Sequence, residues 1–365
     1  MVLILLTGGN GDVGVECCKQ LATKPEVTKV VITCRSEEKA TKTIDTVVAA
    51  TGKDRSFFGY AIIDFMNYAS IVEGVKSCPD KIDRLCLNVG ALGKLEMHPC
   101  GATDAVVINA LCHALFFEKL MEAGKVQKGA RIIYVGSEVS HDIYSFSGLL
   151  PHYYGRFSEN DVEGAISKNY NDVFGSFLPV RRQLGDYKNA KIIAQLYFAA
   201  LAKEYPDMHF MTISPGKRLL SISYDNYRFC DTFSSFFSIL ELQFFLGGVE
   251  GEDGKGTGFT SEGFFPLDVM MKKAPFVFHY LGVTHTIVPA VERFMDGCLL
   301  GEKSKYESGA MVMSSKDGFG IGAFFWGAKG DYSDIRSEVP YLADEDLATK
   351  TAVVVRKYLA KWREL

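Results

Sequence analysis

Six short apolar runs mark the first 215 or so residues: VLILL, VVITC, GYAIID, RLCLNV, RIIYVG and HFMTIS. Between them lie stretches of helical periodicity over 13–23, 36–50, 68–77, 104–123 and 188–204. A strand covered on both faces reads as an unbroken apolar run, whereas a strand with one wet face alternates. Joining such strands in the same direction takes a crossover of a dozen residues or more, normally a helix. The alternation therefore predicts an α/β fold, a doubly wound, mostly parallel sheet of the Rossmann type with helices on both faces. Ligands in such sheets gather outside the carboxyl ends of the strands, so the residues that follow each run are the ones to read for chemistry.

Two segments break the pattern. Residues 141–186 carry aromatics, glycines, two prolines and a charged helical stretch near 158–169, and read as an insertion; 217–300 is rich in Phe and Tyr and reads as an aromatic, substrate-side segment. Within the second, GGVEGEDGKGTGFTSEG (247–263) has the composition of a flexible loop. From Asp344 the acids come first and the bases last, the charge order of a capped terminal helix over 344–365. Because one elaborated α/β unit can run to this length, residues 1–365 are taken as a single dinucleotide-binding domain.

Composition narrows the partners. With 40 basic and 44 acidic side chains the net charge is −4, which gives no broad positive field and excludes nucleic acid as the main partner. The MVLILL start reads as a strand rather than a signal peptide. The longest aromatic-aliphatic stretch, Phe233 to Leu246, is broken by Ser234, Ser235, Ser238, Glu241 and Gln243, so no membrane-spanning helix is expected. Nine cysteines, an odd number with no C-x-x-C pair, fit reduced core thiols in the cytoplasm or in an organelle after removal of a transit peptide. None of the seven histidines pairs at ligand spacing, so no metal is expected.

The first run is followed by Thr7-Gly8-Gly9-Asn10-Gly11-Asp12-Val13-Gly14, in which Gly9, Gly11 and Gly14 satisfy G-x-G-x-x-G between a strand and a helix. That is the context the motif requires: glycines permit the tight turn and close approach of backbone to a pyrophosphate, and the helix N-terminus offers unpaired amides. About 20 residues on, an NAD site places an acid against the ribose 2′-hydroxyl. Here the residue is Arg35, whose planar cation suits a 2′-phosphate, so NADP(H) is the expected cofactor. The plainer alternative is a surface ion pair of Arg35 with Glu37 or Glu38.

Tyr187-Lys188-Asn189-Ala190-Lys191 opens a helical run, and a spacing of four sets Tyr187 and Lys191 on one face. An ammonium beside a phenol stabilises the phenolate, which makes a tyrosine usable in proton exchange. Together with the glycine loop come Asp64 after the third run, Leu87-Asn88-Val89-Gly90 after the fourth, Asn109 in the next helix, Ser137 after RIIYVG, and Pro215-Gly216 after the sixth. In that order these motifs resemble the short-chain dehydrogenase/reductase (SDR) family over about residues 3–221, with a looser likeness to the carbonyl reductase and light-dependent protochlorophyllide reductase branches.

The resemblance implies that Ser137 hydrogen-bonds the substrate oxygen, that Tyr187 exchanges the proton, that Lys191 holds the nicotinamide ribose, and that Asn109 holds a relay water. It implies that Asp64 contacts the adenine and that Asn88 and Gly90 line the cofactor cleft. In isolation Ser137 also suits a strand-end turn, Asn109 a helix kink and Asp64 the N-cap of the next helix. The pattern departs from the family at Leu87 and Val89, and after Pro215-Gly216, where Ser221 stands in for the usual threonine on the carboxamide.

Ser137 and Tyr187 are 50 residues apart, a longer separation than is usual in the family. The intervening insertion is expected to obstruct the common subunit interface, giving a monomer or an unusual oligomer. Tyr144, Phe146, Tyr153, Tyr154 and Phe157, with Tyr224, Tyr227, Phe229, Phe233, Phe236 and Phe237, would line a pocket for a hydrophobic substrate, form small cores of their own, or dip into a membrane surface. The expected activity is hydride transfer, reduction being favoured, on a hydrophobic carbonyl, alcohol or conjugated double bond; the alternative is a non-catalytic NADP(H)-binding subunit of a larger assembly.

Overall fold

The computed structural model describes residues 2–137, 140, 157, 159–167, 179–215, 291–292, 305–314 and 332–365, with the side chains of 179–184 left out. The described strands are β1 (Val2–Leu6), β2 (Val27–Cys34), β3 (Phe58–Ile62), β4 (Ile82–Leu87), β5 (Val126–Val135), β6 (His209–Ile213), β7 (Ala310–Ser314) and β8 (Tyr332–Asp334). They form one sheet in the order β3-β2-β1-β4-β5-β6-β7-β8. Every neighbouring pair is parallel except β7 with β8, as the apolar runs and helical crossovers require. Leu6 lies between Ile32 and Cys86 in register, and Val135 opposite Ile213, which brings the carboxyl ends of β2, β1, β4, β5 and β6 to one edge. The order reverses between β1 and β4, the switch point where such sheets leave a crevice.

Helices α1 (Asp12–Ala22) and α2 (Glu37–Thr51) cover one face, closing a core of Ile4, Leu6, Cys17, Leu21, Ile32, Ile44 and Val47. The other face carries α3 (Tyr68–Ser77), the short α4 (Asp104–Val106), a π-helical turn (Val107–Leu111), α5 (Cys112–Glu122), α6 (Val162–Ser167), α7 (Pro179–Glu204) and α8 (Glu345–Arg363). Their core includes Phe116, Phe117, Ile193, Tyr197 and Phe210. The α7 helix starts at Pro179, a residue suited to a first helical position, so it begins inside the stretch that the sequence assigns to the insertion. The terminal helix forms as expected: Asp344 Oδ1 accepts from the Leu347 amide at 2.9 Å, with Glu345 and Asp346 in the first turn and Lys361 and Arg363 in the last. It docks on α7, and Arg356 donates to Glu118 of α5 at 3.1 Å and to Glu204 of α7 at 2.6 Å.

Among the described residues no helix is long and apolar enough to cross a membrane. The seven described cysteines, Cys17, Cys18, Cys34, Cys78, Cys86, Cys100 and Cys112, are buried free thiols. The loop at 247–263 and most of 141–178 and 217–304 lie outside the described residues.

Candidate active site

The glycine loop is stitched to the strands beside it. Thr7 Oγ1 accepts from the Asn88 and Val89 amides at 2.8 and 3.1 Å, and Asn88 Nδ2 donates to the Thr7 and Gly8 carbonyls at 3.0 and 3.3 Å. On the other side the Gly8 amide donates to Thr33 Oγ1 at 3.1 Å and the Gly9 amide to the Thr33 carbonyl at 3.2 Å. Gly8 has φ +65°, the left-handed region that favours glycine. A Cβ on Gly14 would lie 2.5 Å from the Gly8 carbonyl, whereas one on Gly11 would meet nothing nearer than 3.5 Å. Gly11 is the extended N-cap of α1 and carries no side-chain cap. The chain's own packing thus explains Gly14, while Gly11 is exposed and its missing side chain leaves the backbone of the turn approachable, which fits a dinucleotide diphosphate. Gly14→Ala is expected to destabilise the fold by about 1–3 kcal/mol. Gly11→Ala should melt near wild type yet bind NADPH more weakly, as denaturant melts and fluorescence titration would measure.

Arg35 is exposed just past β2, where Ser36 caps α2 by accepting from the Lys39 amide at 3.4 Å. Glu37, offered by the sequence as a surface partner of Arg35, instead accepts from Tyr60 Oη at 2.6 Å, and Arg35 forms no ion pair among the described residues. Asp64 is exposed after β3; its Oδ1 accepts from the Met66 amide at 3.0 Å, while the N-cap of α3 is Asn67, accepting from the Ser70 amide at 2.9 Å. Beneath the loop, burial pushes the Cys34 thiol up to about 11 and the Cys86 thiol up to about 12, so both stay protonated.

Asn109 sits in the π turn and is fully buried. Its Nδ2 donates to the Ala91 and Ala105 carbonyls at 2.6 and 2.8 Å, its Oδ1 accepts from the Ala91 amide at 3.3 Å, and its carbonyl accepts from Tyr134 Oη at 2.8 Å. The helix irregularity and the pinning of the post-β4 loop are therefore one arrangement. Gly90 lies exposed over it, where a Cβ would fall 2.8 Å from Asn109 Oδ1 and 3.4 Å from Lys191 Nζ. Lys191, 3% exposed, donates to the Val135 carbonyl at 2.9 Å, with its Nζ 4.9 Å from the Tyr134 ring centre and 5.5 Å from that of half-buried Tyr187. Asn109, Gly90, Lys191 and Tyr187 thus converge, and Asn88 joins them to the glycine loop. Ser137, half-buried past β5, accepts at its carbonyl from the Ser140 amide and hydroxyl at 3.1 and 2.7 Å.

Of the departures from the family pattern, Leu87 is wholly buried in the core, so the substitution serves packing. Pro215 is half-buried after β6; Gly216 and Ser221 lie outside the described residues. So do the aromatics suggested for a substrate pocket, except Phe157, which is buried 5.7 Å from the Tyr341 ring. Phe157 therefore packs into the main core beside Tyr341, outside any small core of the insertion's own.

His113 and Gln195 belong to no sequence motif, and the structure adds them to the site. His113, one turn after Asn109, is buried and its Nε2 lies 2.7 Å from the Val89 carbonyl, so that nitrogen carries the proton. Burial first and Lys191 second push its pKa down to about 3, keeping it neutral beside the ammonium. The signal was the spacing of four from Asn109, as it was for Gln195 from Lys191.

Residues 2–148 match the family model for short chain dehydrogenases. No curated protein matches the sequence. Among solved structures, an uncharacterized protein from Mycobacterium Paratuberculosis aligns with TM-score 0.56 and 12% identity over 99% of this chain and 94% of that one. Salutaridine reductase from Papaver somniferum aligns with TM-score 0.52 and 15% identity over 85% of this chain and 99% of its own. The KRED1-Pglu enzyme aligns with TM-score 0.51 and 14% identity, over 86% and 100% respectively. These likenesses establish the fold.

Proposed function

We propose, from the match of residues 2–148 to the family model for short chain dehydrogenases, an NADP(H)-dependent oxidoreductase that moves hydride to or from a bulky hydrophobic carbonyl, alcohol or conjugated double bond. The observation that carries the proposal is the place of Lys191: a buried ammonium fixed by the Val135 carbonyl, next to Gly90 and the Tyr187 ring, at the edge of the sheet that holds the glycine loop.

In this reading Thr7 to Gly14 hold the diphosphate, Arg35 the 2′-phosphate, Asp64 the adenine, and Asn88, Gly90, Pro215, Gly216 and Ser221 the remainder of the dinucleotide. The bound nicotinamide supplies the hydride chemistry. Ser137 donates to the substrate oxygen, Tyr187 exchanges its proton, Lys191 holds the ribose and favours the phenolate, and Asn109 orients a water behind Lys191. Exposure of Arg35, with Glu37 engaged by Tyr60, supports the choice of NADP(H) over NAD(H). The seat of α8 on α7, tied to α6 through Lys357 and Glu163 at 2.8 Å, supports a monomer or an unusual oligomer. Buried free thiols support a reducing compartment.

The test is NADPH oxidation with a panel of aromatic ketones and quinones, with Arg35→Asp as the variant. The NADPH-over-NADH ratio of kcat/KM should fall by about 10- to 150-fold in that variant, the worth of one charge-assisted contact. Tight NADPH binding without turnover of any acceptor would favour the non-catalytic subunit instead.

A further inference from the structure

Strand β5 delivers Ser137, but the groups that hold its carbonyl come from elsewhere in the fold. We propose that Gln195 is a positioning residue for the proposed catalytic Ser137, acting through Ser140; this rests on the reading of Ser137 given above. Tyr187, Lys191 and Gln195 follow one another at spacings of four along α7, so all three face the end of β5. Gln195 is fully buried, and its Nε2 donates to Ser140 Oγ at 2.7 Å. Ser140, also fully buried, passes the bond on: its Oγ donates to the Ser137 carbonyl at 2.7 Å and its amide donates to the same carbonyl at 3.1 Å. From the far side Tyr341 Oη donates to the Ser140 carbonyl at 2.9 Å.

The direction of the chain is forced. A serine hydroxyl has one proton, and the Ser137 carbonyl at 2.7 Å is a far better acceptor for it than Met313 Sδ at 3.8 Å, so Ser140 donates to the carbonyl and accepts from residue 195. Only a donor at that position completes the chain; a carboxylate would compete for the Ser140 proton, and an aliphatic side chain would leave the buried hydroxyl without its donor. There is little room for the loop to move instead. A Cβ on Gly136 would lie 2.6 Å from Thr212 Cγ2 and 3.2 Å from Gln195 Nε2. A buried glutamine is costly unless its amide is used, and Nε2 is used here, through Ser140, to hold the carbonyl of Ser137, two residues past the end of β5.

The experiment compares wild type with Gln195→Met, Gln195→Glu, Ser140→Ala and the Gln195→Met/Ser140→Ala pair. Three readouts are taken: turnover of NADPH with the carbonyl panel, NADPH affinity, and hydrogen exchange of the segment carrying Ser140. Both Gln195 variants should lower kcat by about 10- to 100-fold, the size expected for a misplaced reacting group, with NADPH Kd within about twofold of wild type. Exchange at Ser140 should quicken by about tenfold while α7 stays protected. The double variant should lose no more than the worse single one, because the residues act in series. Ser140→Ala removes one oxygen and serves if a Gln195 variant fails to fold. Wild-type turnover and exchange in the variants, additive losses in the pair, or full activity in Gln195→Glu would each overturn the proposal. If wild type itself reduces no acceptor, the oxidoreductase reading fails, and exchange alone then decides whether Gln195 holds the loop.

Discussion

Replacing Tyr187 by Phe is expected to cut NADPH-dependent turnover by about 10²- to 10⁴-fold, the usual worth of a positioned general acid. The change removes one oxygen from a half-buried ring and keeps the ring itself beside the Lys191 ammonium, 5.5 Å from its centre. Lys191 would keep its bond to the Val135 carbonyl, and Asn109 its three side-chain bonds to Ala91 and Ala105. Dinucleotide affinity and the thermal midpoint should therefore stay close to wild type. Steady-state kinetics against a quinone, fluorescence titration with NADPH and a melting curve measure the three quantities on one preparation. Loss of binding together with turnover would mean that the hydroxyl holds the site together instead of exchanging a proton. Unchanged turnover would assign the proton to another group and remove Tyr187 from the mechanism.

The parts legible from sequence were those that repeat locally. Runs such as VLILL and RIIYVG announce strands buried on both sides, and the helices between them make neighbouring strands parallel, whereas the order of the strands comes from long-range pairing that only the structure shows. β8, at three residues, is too short to show a period. The start of α7 at Pro179 is not legible in the sequence, because PVRRQLGD mixes charges and apolar residues without a clear stripe ahead of Tyr187. Capping was ambiguous for a similar reason: Asp64 and Asn67 both precede α3 with suitable side chains, and only the folded turn shows that Asn67 takes the Ser70 amide while Asp64 takes Met66. At the site, Asn109, Lys191 and Tyr187, legible as residue types along the chain, lie near one another around Gly90. What supports them was invisible, because the His113–Val89 and Gln195–Ser140 bonds join positions 24 and 55 residues apart. The spacing of four from Asn109 and from Lys191 marks His113 and Gln195 as sharing those faces, but carries no sign of which distant carbonyl or hydroxyl each will meet.

Trp362→Ala should cost about 3–5 kcal/mol of stability, the range for emptying a large aromatic site in a core. The terminal helix could be read from its charges and cap, but not its docking surface, and that surface is what sets the size of the effect. Trp362 is 2% exposed and stands edge-on to Tyr68 at 6.0 Å and His98 at 5.4 Å, thus joining α8 to α3 and to the loop that precedes α4. Leu359, Val355 and Tyr358 continue the same buried face, and α8 lies along α7, the helix that carries Tyr187 and Lys191. Loosening α8 should therefore lower the temperature at which activity is lost as well as the denaturant midpoint. Val353→Ala is the matched control: the residue is on the same helix but 63% exposed, and its change should stay within about 0.5 kcal/mol. Urea melts followed by fluorescence and by residual turnover separate the two. If Trp362→Ala melted like Val353→Ala, α8 would be an appendage that frays without consequence. A shared fall in both midpoints would make it part of the cooperative unit that holds α7, with Tyr187 and Lys191, in place.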